Sequence, residues 1–442
     1  VGSPPAELPL PEGINVVFNH RDGGRYRSPL TDQWRNGDDL EQFLVDAIHE
    51  AQHEILIAVQ ELSSPTIAEA LVAAQQRGIT IKLVLENNYS QPWSEQHPAD
   101  LSPHQRKRQQ QLKAMADRNG DGLLSPKERQ QSDAVVILKR HNIPFIDDTE
   151  DGSAGSGLMH HKFLVIDEHT VVTGSANFTS SGFHGDAGRK QTRGNVNHLL
   201  RFSDAGLAKL FKAEFQRLWG DGPGGEQDSQ FGLGKEAPGI QIAQIGSTRV
   251  EVLFAPHPKR HKQHGLQIIG ERLSTARKGI DMALFVFSAQ SLGNQLQESV
   301  NKGVKVRLLA DPSFASRSFS EVLDLLGVEL PDRFCKLERN NKPFSSPLQG
   351  VGTPRLARGD KLHHKFAVID NKTVITGSFN WSPAAAHTND ETLFVIHSPQ
   401  LAQHFTREMD RLWGTADLGI TPHLQRKLHR QKIRCGDGVE RD

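Results

Sequence analysis

Apolar residues in this chain fall in short, dense runs separated by polar stretches, and the runs occur twice. Ile55-Leu56-Ile57-Ala58-Val59 has a counterpart in Ile280-Asp281-Met282-Ala283-Leu284, an offset of 225. Arg77-Gly78-Ile79-Thr80-Ile81-Lys82-Leu83-Val84-Leu85 matches Lys302-Gly303-Val304-Lys305-Val306-Arg307-Leu308-Leu309-Ala310 at the same offset. Each set predicts a strand, an amphipathic helix, a Gly stop and a second buried strand. That is a βαβ unit, since parallel strands need a crossover. Each half closes on a predicted helix, FKAEFQRLW at 211–219 and FTREMDRLW at 405–413. Between them, Asp221-Gly222-Pro223-Gly224-Gly225 opens a Gly-rich run to Gly239, a linker by composition. The pattern therefore predicts an α/β fold with two similar lobes, 1–220 and 240–442, joined by 221–239. Each lobe is a mixed sheet flanked by helices, and a pseudo-two-fold axis relates them.

Two further apolar runs carry chemistry at their edges. His160-His161-Lys162-Phe163-Leu164-Val165-Ile166-Asp167 is followed after six residues by Gly174-Ser175-Ala176-Asn177. His363-His364-Lys365-Phe366-Ala367-Val368-Ile369-Asp370 is followed, again after six, by Gly377-Ser378-Phe379-Asn380. Successive side chains on a strand point to opposite faces. His160 and Lys162 then share one face, as do His363 and Lys365. His161, His364, Asp167 and Asp370 lie behind, where the aspartates are expected to support the site rather than touch substrate. Adjacent His160 and His161 cannot share a zinc ion. Ser175 with Asn177, and Ser378 with Asn380, are expected to bind phosphate oxygens.

These motifs resemble those of the phospholipase D superfamily, the HKD phosphodiesterases, over roughly 15–220 and 250–415. The resemblance implies that one imidazole attacks phosphorus to form a phosphohistidine. The other protonates the leaving oxygen and then activates water. Lys162 and Lys365 would neutralise the phosphate oxygens, and no metal is needed at the centre. By likeness to two-motif members, His160 would be the nucleophile and His363 the general acid. The family also places an acidic residue after each motif to orient a histidine. Glu391 fills that place in the second half; Asn197 lies opposite it in the first. If support crosses between the lobes, Glu391 would hold His160.

The halves differ by insertions. The motifs are offset by 203 rather than 225, so about 22 extra residues precede His160, within a helical insert at about 103–140. Helices are expected at 103–116 and 126–140. Between them, the twelve residues 117–128 fit a calcium loop of EF-hand type. Oxygen donors fall at Asp117, Asn119 and Asp121, Gly122 makes the turn, the Leu123 carbonyl points inward, Ser125 acts through water, and Glu128 is bidentate. A lone loop suggests a structural Ca²⁺. Nine more extra residues fall around 182–194.

Charge bears on the substrate. The 442 residues carry 52 Lys plus Arg and 52 Asp plus Glu, so any polyanion-binding surface must be local. Acidic residues at 147–152 precede the first motif, and Arg355, Arg358 and Lys361 the second. A mixed-sign mouth suits a phospholipid with a cationic or zwitterionic headgroup; a solvated loop or a further calcium contact is the alternative for the acidic run. Basic clusters at 106–108, 189–193 and 259–262 leave a nuclease open, and phosphatidyl transfer is a third possibility within the family. No apolar run reaches the ~18 residues of a membrane span. Cys335 and Cys435 are expected to be unpaired thiols, one disulfide being the alternative. The Pro-rich start without Met or hydrophobic signal core, together with the calcium loop, favours an extracytoplasmic protein over a cytoplasmic one. With both motifs in one chain, a monomer is expected.

Overall fold

In the computed structural model, residues 5–441 are described, apart from Ser156, Lys190 and Asp437. The chain start and Lys190 of the 189–193 basic cluster therefore lie outside the described residues. The first sheet has seven strands in the order Ile14–Phe18, His198–Ser203, Thr170–Gly174, Lys162–Ile166, Glu54–Val59, Thr80–Leu85, Phe145–Asp147. The second repeats this order with Thr248–Ala255, Glu391–His397, Thr373–Gly377, Lys365–Ile369, Gly279–Leu284, Lys305–Ala310 and Val351–Thr353, and adds one edge strand at each side.

The repeated runs form as their patterns dictate. Glu54–Val59 pairs in parallel with Thr80–Leu85, and Gly279–Leu284 with Lys305–Ala310. The crossovers are helices Pro65–Gln76 and Gln290–Asn301. Each ends two residues before Gly78 or Gly303, whose φ values of +88° and +85° a side chain would disfavour.

Outer helices cover each sheet on one face, while helices Ala205–Trp219 and Pro399–Trp413 lie between the lobes. Each inner helix packs on its own sheet and also reaches an edge strand of the other, Gln241–Ile245 and Ile14–Phe18 respectively. The central core is thus shared. Phe202 stacks on Phe394 at 5.1 Å, and Phe211 meets Phe254 edge-on at 5.0 Å.

The Gly-rich linker is anchored near its end, where Lys235 is buried with its ammonium on Glu214 and Asp390. Two expectations need correction. The helix expected at 126–140 is two, Pro126–Ser132 and Ala134–Arg140. Asp133 turns the chain, and its carboxylate caps the second helix through the amides of Val135 and Val136. Cys335 and Cys435 are disulfide-bonded across 100 residues. This pairing was not legible because it depends on the terminal helix Pro422–Cys435 folding back against the second lobe.

Candidate active site

The two motifs meet between the lobes, and each is held by the other lobe's backbone. The His160 amide donates to the Asp390 carbonyl at 2.9 Å, and the His363 amide to the Val196 carbonyl at 3.0 Å. The side chains cross over in the same way. His160 Nδ1 lies 2.8 Å from Glu391 Oε2, and His363 Nδ1 lies 2.9 Å from Asn197 Oδ1. His363 Nε2 lies 3.4 Å from Lys365 Nζ, and both histidine rings line a cavity of about 400 Å³. The expected cross-lobe support of His160 by Glu391 is present, with Asn197 serving His363.

Strand alternation places the second histidine of each pair behind the site. His161 is fully buried between Thr392 Oγ1 (2.8 Å) and Glu214 Oε1 (2.9 Å). His364 contacts Glu408 Oε1 at 2.9 Å and the ring of His198 at 2.8 Å. Asp167 accepts the amides of Gln52, His53 and Glu54 at 2.8–2.9 Å, and Asp370 those of Arg277, Lys278 and Gly279 at 2.7–3.0 Å. Both aspartates sit at φ near +50° in the hairpin turn that follows the motif strand. They pin that turn to the neighbouring strand and do not reach the cavity.

The serine expectation is overturned. Ser175 donates to Asn197 Oδ1 (2.8 Å) and accepts the His198 amide; Ser378 donates to Glu391 Oε2 (2.6 Å) and accepts the Thr392 amide. Both hydroxyls are buried and committed, so they lock the histidine-orienting residues instead of binding phosphate. Asn197 is fixed further, because its Nδ2 donates to the Gly182 carbonyl at 2.9 Å. Asn177 lines the cavity, and Asn177 and Asn380 each keep a buried side-chain oxygen without a partner.

Burial sets the charges. Lys162 is pushed down to about 7 by desolvation, which the carboxylates of Glu391 and Glu61 offset only in part. Lys365 is driven well below its ordinary value by burial and by Lys162. Each ammonium donates to the carbonyl of its own motif histidine at 2.8 Å, and neither forms an ion pair among the described residues. Two poorly compensated cations side by side make an anion site. His160 is lowered to about 4 by burial, although Glu391 pulls it upward; His363 falls well below 6.5 through burial and the two lysines. Glu391 is held below its usual value because His160 and Lys162 outweigh its own desolvation.

Several cavity residues were missed by sequence reasoning. Gln60 and Phe285 occupy equivalent places, 225 apart, each just beyond a repeated strand. Gln60 Oε1 accepts from Asn177 Nδ2 (3.2 Å) and Lys162 (3.4 Å). Phe285 lies 4.8 Å from the His363 ring and 5.1 Å beneath the Lys365 ammonium. The offset was the available signal. The insert contributes too: Lys107, Arg108 and Gln111 of helix Pro103–Ala116 line the cavity opposite Arg189 and Lys361. Arg108 pairs with Glu61 at 2.5 Å, and Gln111 donates to Asp186 at 3.2 Å.

Of the expected mixed-sign mouth, Lys361 lines the cavity, whereas the acidic run before the first motif does not. Asp148 is buried and accepts the amides of Asn87 (2.8 Å) and Met159 (3.3 Å); Asp151 accepts those of Asp228 and Ser229. The acidic run braces loops. Arg355 pairs with Asp417 away from the catalytic cavity. In the calcium-type loop, Asp117 accepts the amides of Gly120, Asp121 and Gly122, and Glu128 accepts those of Arg118 and Ser125. Asn119 and Asp121 bond each other at 3.0 Å. The donors are all oxygen and share one turn, which fits a hard cation chemically. Among the described residues, however, no group of three or more acidic, His or Cys side chains is arranged to hold a metal.

Two lobes that cross-support paired histidines and lysines define a two-motif HKD protein. A family model described as "Cardiolipin synthase, PLD-like domain" matches residues 44–219 and 269–413, and the chain belongs to this family. Among curated relatives, mitochondrial cardiolipin hydrolase of Mus musculus is 28% identical over 184 residues, 41% of this chain and 69% of that protein. The Chlamydomonas reinhardtii protein of that name is 27% identical over 153 residues, 35% and 59% of the two chains. A phospholipase D of Rickettsia bellii is 28% identical over 164 residues, 37% and 69%. The matches thus cover 59% to 69% of these relatives' own lengths. The solved phosphatidylserine synthase of Haemophilus influenzae Rd KW20 shares the fold, with a TM-score of 0.56 at 13% identity over 96% of both chains.

Proposed function

We propose that the protein is a phospholipase D-type phosphodiesterase that cleaves phospholipid to phosphatidic acid and a free headgroup. The crossed histidine supports carry this reading. His160 donates its Nδ1 proton to Glu391, which leaves the Nε2 lone pair for phosphorus. His160 Nε2 forms the N–P bond as the headgroup oxygen departs, taking a proton from His363 Nε2. Water then attacks phosphorus, gives a proton to His363, and frees His160. Lys162 and Lys365 hold the non-bridging oxygens, and the phosphate's charge restores both ammoniums and eases protonation of His363. Asn177 and Asn380 supply amide contacts, whereas Ser175 and Ser378 act through Asn197 and Glu391.

A nuclease is the second reading, favoured by the cationic cavity wall of Lys107, Arg108, Arg189 and Lys361. Phosphatidylcholine and phosphatidylglycerol vesicles, tested against single- and double-stranded DNA with and without chelator, separate the two. Headgroup release alone supports the lipase, and DNA cleavage alone overturns it. Added primary alcohol distinguishes transfer from hydrolysis by diverting product to a phosphatidyl alcohol.

The loop 117–128 is proposed to bind a structural Ca²⁺ through Asp117, Asn119, Asp121, the Leu123 carbonyl and Glu128, with Ser125 acting through water. An extracytoplasmic location is proposed because a disulfide persists in oxidising compartments. No described helix is long and apolar enough to cross a membrane. A monomer suffices, since one chain supplies both motifs.

A further inference from the structure

The second lobe carries a larger cavity of about 780 Å³ beside the catalytic one. Most of its exposed wall is apolar, from residues such as Val322, Leu326, Leu356 and Leu424, while Arg355, Arg358, Asp360, Asp417 and His423 add charged groups to the lining. The catalytic cavity is chiefly polar, and the two share a wall at Gly359, four residues before His363. The loop carrying Leu356 and Ala357 therefore runs from the apolar cavity directly into the second motif. In the same segment, Leu418 (44% exposed) and Ile420 (46% exposed) alternate with the lining residues Asp417, Gly419 and Thr421 and stand outside the lining, facing solvent. They suit a site loaded from a lipid surface. The outer wall is the start of helix Pro422–Cys435, held at its far end by the Cys335–Cys435 disulfide. Lys427 of that helix also donates to the Ser316 carbonyl.

We propose that this cavity holds one acyl chain of the phospholipid substrate while the phosphate sits between His160 and His363. The assignment rests on the phospholipase reading. In an in-line displacement the nucleophile and leaving group lie on one axis. The glycerol ester that stays on phosphorus projects sideways from that axis, and a neighbouring apolar cavity is where its chain can go. Each methylene removed from water is worth about fourfold in binding, so chain length becomes a specificity determinant independent of the headgroup.

The test fills the cavity from its loop wall with Ala357→Trp. Three measurements are made on native and variant protein: binding of cis-parinaric acid by fluorescence, hydrolysis of dioleoyl phosphatidylcholine, and hydrolysis of bis(p-nitrophenyl) phosphate, which has no chain. The native protein is expected to bind the fatty acid. The variant should lose that binding and at least about tenfold in kcat/KM on the long-chain lipid, as expected for two or more displaced methylenes. Its rate on the chainless ester should stay unchanged, which also shows that the variant is folded. Unchanged fatty-acid binding, or equal losses on both esters, overturns the proposal. Fatty-acid binding that Ala357→Trp abolishes, in a protein that cleaves DNA but no phospholipid, would instead leave the acyl site standing and overturn the phospholipase reading.

Discussion

At the scale of single residues, the site is a symmetric frame with asymmetric supports. Alternation along a strand identified the working histidine of each pair, because His161 and His364 had to point away from Lys162 and Lys365. It also assigned Asp167 and Asp370 to the rear. The same reasoning failed for Ser175 and Ser378, since facing inward does not reveal whether a hydroxyl meets substrate or a neighbouring side chain. The contrast between Glu391 and Asn197 leads to two predictions. Glu391→Gln removes the carboxylate that raises His160, so the acid limb of the kcat/KM profile, set by a group near 4, should move lower still. The rate should fall by about 10²-fold as the developing imidazolium loses its partner. An unmoved acid limb would show that Glu391 does not act on the nucleophile. Asn197→Asp places a carboxylate on His363 and should raise its pKa. Since the general acid must be protonated, activity should persist to higher pH, visible as an alkaline limb displaced upward. Unchanged pH dependence would remove His363 from that role.

At the scale of elements, the insert is more than a decoration between Leu85 and His160. Its sequence predicted the helix Pro103–Ala116 and the loop after it, but not that Lys107, Arg108 and Gln111 would line the cavity. That placement depends on contacts to Glu61 and Asp186, distant in sequence and unmarked by any periodicity. Because the loop starts at Asp117, where this helix ends, ordering the loop orders the cavity wall. Ca²⁺ at about 100-fold over its dissociation constant should stabilise the insert by about 2.7 kcal/mol. Limited proteolysis within 117–128 should then slow in Ca²⁺ and accelerate with chelator, and KM should rise on chelation more than kcat falls. Asp121→Ala should abolish both effects. Cleavage rates indifferent to Ca²⁺ would leave the loop a hydrogen-bonded turn that binds no cation.

For the molecule as a whole, the repeat made the two lobes legible, whereas the cement between them was not. Composition marked 221–239 as a Gly-rich linker but did not show that Lys235 is inserted between Glu214 of the first lobe and Asp390 of the second, where it also donates to the Ala255 carbonyl at 3.1 Å. Burial works against all three groups: Lys235 and His161 nonetheless hold the Glu214 carboxyl down to about 2, and Asp390 and Glu214 lift the Lys235 ammonium above its ordinary value, while burial keeps the Asp390 carboxyl raised. Glu214 also fixes His161, and the Asp390 backbone holds the His160 amide, one residue before Glu391. One linker cation thus ties the lobe interface to His160, the proposed nucleophile. Removing one member of a buried ionic cluster strands the others, at a cost of about 3–5 kcal/mol. Lys235→Met should accordingly lower the unfolding free energy in urea by about that amount and slow phosphodiester cleavage through disorder at His160. Adding Glu214→Gln and Asp390→Asn to the same chain removes the stranded charges, so stability should return in large part. A Lys235→Met protein as stable as the native one would mean that the shared aromatic core alone holds the lobes together, with the ionic cluster free to vary.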